Sequence, residues 1–203
     1  MTSSQRLLVA SMVVIAAATT ALAGPRGRTD APPTVLAFDN RDFYLCCTLR
    51  FDREGNATDA NLGYPFRDFV LRAGTRVHAT VRRSSPDAVL LEPKDDSRVF
   101  RIWMRYGRGE MDIAGFFGKV LLDEDPTASL KDASAEIRQA IRDGRVIVGM
   151  SKAETIMARG YPPAHQTPRL DGSEWIYYVS NGIVDSVRFG DGRVSEIERG
   201  AAP

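Results

Sequence analysis

Between Gly149 and Gly160 the chain commits to a helix of barely two turns. Ser151 and Glu154 stand three apart just before Ile156 and Met157. That spacing is a capping box: the Ser hydroxyl accepts from the Glu154 amide, and the Glu carboxylate accepts from the Ser151 amide. Gly160 comes after the last helical position, where a left-handed residue is favoured, and Pro162 and Pro163 forbid continuation. So short a helix is not stable alone in water and must lie on something. The chain supplies a surface directly afterwards: Trp175 to Val179, the turn Ser180-Asn-Gly182, Ile183 to Phe189, the turn Gly190-Asp-Gly192, then Arg193 to Ile197. Asn-Gly between apolar runs is the strongest short-range hairpin signal. The expected unit is a short helix packed on a three-stranded antiparallel meander, with Trp175 beneath the helix.

Upstream, Leu130, Ala133, Ile137, Ala140 and Ile141 recur at three and four, predicting an amphipathic helix that ends near Asp143 with Gly144 as its stop. Taken together, Gly149-Met-Ser-Lys-x-Glu154, Gly160-Tyr-Pro-Pro-x-His165, Trp175-x-Tyr177 and Phe189-x-x-Gly192-x-Val194 resemble the carboxy-terminal domain of the BamE/SmpA-OmlA family. Members of that family are small, typically lipid-anchored periplasmic proteins that support assembly of outer-membrane β-barrels. The resemblance covers residues 132–199. It implies a two-helix, three-stranded domain and a barrel-assembly partner at the cell envelope. Ser151, Glu154, Gly160, Trp175, Tyr177 and Phe189 are its structural residues. Residues 200–203 are a short tail.

Residues 1–23 read as a signal peptide: Arg6, an apolar run from Leu7 to Ala18, and the small-x-small site Ala21-Leu-Ala23. The run is too short to span a bilayer core of roughly 20 residues. Pro25 occupies the place where a lipoprotein would carry cysteine, so the chain departs from the family pattern and a lipid anchor is not expected. Removing the segment leaves about 180 residues, with basic and acidic residues balanced at 26 each. A neutral balance argues against bulk nucleic acid, and leaves membrane contact peripheral at most. Residues 24–34, rich in Gly, Pro, Thr and charge, read as a disordered leader.

From 35 to 106 the pattern is all-β. Phe43 to Phe51, Thr75 to Val81, Ala88 to Glu92 and Val99 to Tyr106 are the expected strands. In the last of these, Phe100, Ile102, Met104 and Tyr106 share one face. Turn signals between them favour a small barrel-like domain, and Leu71 to Val77 resembles a strand start of Src-homology-type barrels. The fold class expected is therefore α+β: a small all-β domain, a connector over 107–131, then the two-helix meander domain. Within the connector, Ile113 to Leu122 reads as a short helix, and Asp123-Glu-Asp-Pro126 as a solvated turn whose carboxylates cap the segment after it.

Cys46 and Cys47 are adjacent in a β-prone run. Neighbours in a strand point to opposite faces, so the expectation is two reduced cysteines, one filling a core and one on the reverse face. A vicinal disulfide is the alternative that an oxidising periplasm allows.

No catalytic set, metal-ligand spacing or cofactor motif emerges. His78 alternates with Val77, Ala79 and Val81 and reads as a partly exposed strand residue. Tyr161, Pro162, Pro163, His165 and Gln166 form a loop stiffened by prolines, a recognition surface for an envelope protein partner, unless His165 merely bonds a loop carbonyl. Trp175 and Tyr177 read as core residues, with a ligand-stacking platform as the alternative. The function expected is a periplasmic, non-enzymatic binding or scaffolding protein without cofactors. Inhibition of a periplasmic enzyme of the β-lactamase type is the competing class, and hydrolysis around His165 a third.

Overall fold

The computed structural model describes residues 34–61, 69–82, 84–85, 87–107, 109, 111–180 and 182–202. The expected signal peptide and all but Thr34 of the leader lie outside them. Among the described residues no helix is long and apolar enough to cross a membrane. The chain is mixed α+β, with its strands in three sheets.

The first sheet contains β1 (Arg41–Leu45), β3 (Asn56–Thr58), β5 (Arg76–Val81), β6 (Ala88–Pro93), β7 (Phe100–Trp103) and β8 (Leu121–Leu122). It is curled, in the order β3-β7-β6-β5-β1-β8, antiparallel except for the parallel β3–β7 pair. The alternation in the sequence explains which face is buried. Val77, Ala79 and Val81 point inward along β5, as do Val89 and Leu91 along β6, while Arg76, His78 and Thr80 face out. Phe100, Ile102 and Met104 are buried as their spacing requires, but Tyr106 is not. The ladder stops at Trp103 because the Asp59 carboxylate accepts from the amides of Arg105 at 2.8 Å and Tyr106 at 3.0 Å, bending the chain there. β2 (Leu49–Phe51) pairs separately with β4 (Phe69–Leu71).

Part of the segment expected as a connector belongs to this core. Helix α1 (Ile113–Val120) is capped by the Asp112 carboxylate, which accepts from Gly115 at 2.7 Å. It buries Phe116, Phe117 and Val120 against the sheet, and β8 extends the sheet beyond β1. Apolar spacing found the helix. Membership of the sheet is a long-range property that the spacing does not carry.

The cysteines correct the sequence reading. Cys46 and Cys47 are joined in a vicinal disulfide, and both are buried. The expected strand is not continuous: it breaks into a bend at this pair, so the opposite-face argument for a regular strand does not apply. The broken ladder is replaced by distant partners, with Cys46 N–H donating to Val120 O and Thr48 N–H to Met157 O, each at 2.9 Å.

The second core lies under the meander of β9 (Glu174–Ser180), β10 (Ile183–Gly190) and β11 (Arg193–Ala201). β11 runs past the expected boundary into the tail, because β10 pairs with it as far as Ala201. Helix α2 (Ala135–Asp143) starts on the Ser134 hydroxyl, which accepts from Ile137, and ends at Gly144 in the left-handed region. Helix α3 (Lys152–Arg159) comes next, and Met150, Met157, Ala158, Trp175, Val187, Phe189 and Val194 close the core between helices and sheet.

Candidate functional site

The capping box at the start of α3 is present: Ser151 Oγ accepts from Glu154 N–H at 3.2 Å, and Glu154 Oε2 from Ser151 N–H at 2.7 Å. The far end differs from expectation. Gly160 adopts φ 86 and ψ −179, a backbone open to glycine but outside the left-handed helical well. A side chain there would also collide with Asn61, whose Nδ2 would lie 2.6 Å from a Cβ. That amide donates to Arg159 O at 2.6 Å, holding the last carbonyl of α3, so the chain leaves the helix extended rather than turned.

The loop after α3 is pinned along its length. Tyr177, buried beneath it, donates its hydroxyl to Gly160 O at 3.0 Å. Burial pushes that phenol far above its ordinary pKa, so it stays a neutral donor. Pro162 and Pro163 are buried, and Tyr161 is half-buried against the first core, its phenol also raised by burial. Pro163 O then accepts from Gln166 and Thr167 amides at 3.0 and 2.8 Å. Thr167 Oγ1 accepts from Ile176 N–H at 3.0 Å, tying the loop to the edge of β9. Finally Lys152 Nζ donates to Leu170 O and Gly172 O, with its charge over the rings of Trp175 and Phe189 at 5.5 and 5.3 Å.

The surface that the loop presents outward is therefore narrower than five residues. His165 is exposed and Gln166 half-buried, and both engage one hydroxyl: Gln166 Nε2 donates to Tyr178 Oη at 3.0 Å, and His165 Nε2 lies 3.2 Å from it. The His165 ring stacks on Tyr178 at 5.9 Å between centroids, with the Tyr106 ring 6.0 Å away. The Asp59 bend thus brings Tyr106, three residues beyond the end of β7, to the loop. Tyr106 and Tyr178 were missed in the sequence because neither stands in the loop. The result is a rigid patch of aromatic faces and polar tips, able to stack and to exchange hydrogen bonds. Trp175 and Tyr177 are core residues: Trp175 meets the Phe189 ring edge-on at 4.7 Å, leaving no free platform.

His78 is held on the outer face of the first sheet, with Nδ1 2.9 Å from Asp42 and Nε2 3.2 Å from Asn40. Asp42 also meets Lys94 at 2.9 Å and Arg76 at 3.1 Å. The hydrogen bond from His78, with those from Lys94 and the charge of Arg76, lowers the Asp42 carboxyl to about 2, which makes it a poor base. Asp125 caps the 3₁₀ helix Pro126–Asp132 through the Thr127 amide and hydroxyl, and Asp123 pairs with Arg41.

A concavity of about 340 Å³ opens where the C-terminal ends of α2 and α3 meet the meander. Arg50, Arg145, Arg159 and Arg199 line it with Asp143 and Asp185. Asp185 holds Arg199 at 2.8 Å and Asp143 holds Arg145 at 3.1 Å, while Arg50 donates to Gly144 O at 2.6 Å. Its members are scattered from 50 to 199, so no local motif announced it. No protein-family model, no curated protein and no solved structure matches the chain.

Proposed function

We propose that this protein is a periplasmic, non-enzymatic binding or scaffolding protein of the cell envelope. In this reading α2, α3 and the meander form a module similar to the BamE/SmpA-OmlA family, set behind an N-terminal β domain, and the partner is an envelope protein such as the barrel-assembly machinery. The observation that carries it is the pinned loop. Buried prolines, Tyr177 and Lys152 fix the backbone from 160 to 172, so His165, Gln166, Tyr178 and Tyr106 are presented with little left to order on binding. Preorganised aromatic and polar side chains on a fixed backbone suit protein recognition, because the entropy cost of docking has been met in folding.

The test is crosslinking and affinity capture in an envelope fraction, with the parent and a His165→Ala/Gln166→Ala variant of unchanged melting temperature. A partner held by the parent and lost by the variant is the expected outcome. Identical captured sets would overturn the assignment of the loop. A captured partner that is a hydrolase losing activity in the complex would move the protein to the inhibitor class.

A further inference from the structure

Another concavity, of about 390 Å³, differs in kind from the arginine-lined cleft. It lies between the turn Arg72–Gly74, the 3₁₀ helix Pro126–Asp132 and α2. The turn sits tightly on that helix, since a Cβ on Gly74 would come within 2.8 Å of Thr127 and Asp125. Leu130 and Ile141, both buried, and half-buried Ala73 supply an apolar floor. Arg72, Lys131, Arg138 and Arg142 surround it, and among the described residues no acidic one lines it.

Among the described residues, two of those cations bond neutral groups. Arg138 donates to Ala133 O, and Arg142 to Gln139 Oε1 at 2.5 Å. Asp143, whose carboxyl feels the charge of Arg72, takes its hydrogen bonds from Arg145 and Gln139 instead. Arg142, in the last turn of α2, is favoured there by the helix dipole. That account does not extend to Arg72 in a turn or Arg138 in the helix middle, and it does not explain why all four converge on apolar side chains. Gathered like charges repel, and an anion among them reverses the sign of the interaction.

We propose that this concavity binds a small amphiphilic anion: a carboxylate or phosphate monoester carried on a short aliphatic or aromatic body. Guanidinium groups present paired donors that match the oxygens of such a head. The floor of Leu130, Ile141 and Ala73 takes up the apolar body, and the volume lies in the range of small-ligand pockets. Neither part suffices alone. An inorganic anion leaves the floor wet, and a neutral apolar molecule leaves the cations unanswered. The site stands apart from the His165 loop and does not depend on its assignment.

Calorimetric titration of the full chain tests this with octanoate, octyl phosphate, octanol and inorganic phosphate. Octanoate or octyl phosphate should bind, octanol and inorganic phosphate each at least about tenfold more weakly, as expected for loss of a charge-assisted contact or of apolar burial. Affinity should fall as salt rises. Arg72→Gln/Lys131→Gln/Arg142→Gln should lose at least about tenfold, while Arg82→Gln/Arg169→Gln, which removes exposed cations elsewhere, should bind like the parent. If the triple variant melts early, Lys131→Gln alone supplies the comparison. Equal binding of octanol and octanoate, or equal binding by parent and rim variants, would overturn the proposal. So would binding to phosphatidylcholine vesicles doped with phosphatidic acid but to neither free octyl anion, which would make the cations a membrane-facing surface.

Discussion

Trp175 and Asp42 show how differently single residues are determined. Trp175 is 1% exposed and lies against Phe189 and Lys152. Trp175→Ala should cost about 3–5 kcal/mol, as buried aromatic truncations do, and urea melts would show it. A variant as stable as the parent would mean that the core under α3 does not depend on the ring. Asp42 acts through charge. Its folded pKa of about 2 lies below the ordinary carboxylate value, so its contribution is complete above about pH 4 and is lost as pH falls towards 2. Asp42→Asn should therefore lower the urea midpoint near neutrality and flatten its fall between about pH 4 and pH 2. Since the group is half-buried and reaches solvent, raising the salt should narrow the difference between the two proteins. Period-two spacing made Trp175 legible as a core residue. The disulfide of Cys46 and Cys47 was not legible as the favoured state, because the bend that permits it is completed by Val120 and Met157, far along the chain.

At the scale of elements, the start of α3 is determined within four residues and so was readable. Ser151 and Glu154 satisfy donors that the first turn leaves open. Ser151→Ala should cost about 1 kcal/mol and Glu154→Ala somewhat less, since water can replace the carboxylate. The double variant should cost less than the sum because each side chain holds the other's geometry. Thermal melts of the three variants check this, and three curves superimposed on the parent would mean that the box contributes nothing. The end of the same helix was only half readable. Gly160 and the prolines mark where α3 stops, but its extended exit depends on Asn61, from the link after β3. Likewise the apolar run of α1 was visible, while its place in the first core depends on partners the run itself does not name.

The whole molecule turns on how its two cores are joined, and Asn61 sits at that seam. Ile156 packs against both cores. Around it, Asn61 donates to Thr48 O at 2.9 Å and Arg159 O at 2.6 Å, and accepts from Arg50 N–H at 2.9 Å. Thr48 N–H bonds Met157 O, and Arg50 bonds Gly144 O, so one short stretch after the disulfide holds the C-terminal ends of both α2 and α3. Asn61 also has φ 46, a left-handed backbone that asparagine tolerates better than most residues. Asn61→Ala keeps little of this: it leaves two carbonyls and an amide without their side-chain partner and strains the backbone. The expected loss is about 2–4 kcal/mol, from unsatisfied groups of about 1–3 kcal/mol each, partly hydrated. Its form is more telling than its size. The two tryptophans fall in different parts, Trp103 in β7 and Trp175 in the second core. In Trp103→Phe and Trp175→Phe backgrounds, the remaining indole reports each part separately, and its melt should coincide with the far-ultraviolet circular dichroism melt in both. With Asn61→Ala added, the two reporters should separate, the Trp175 side unfolding first because α3 has lost its anchor. Transitions that stay coincident while stability falls would show that Ile156 and the backbone bonds suffice to couple the cores, and that Asn61 shapes only the exit from α3.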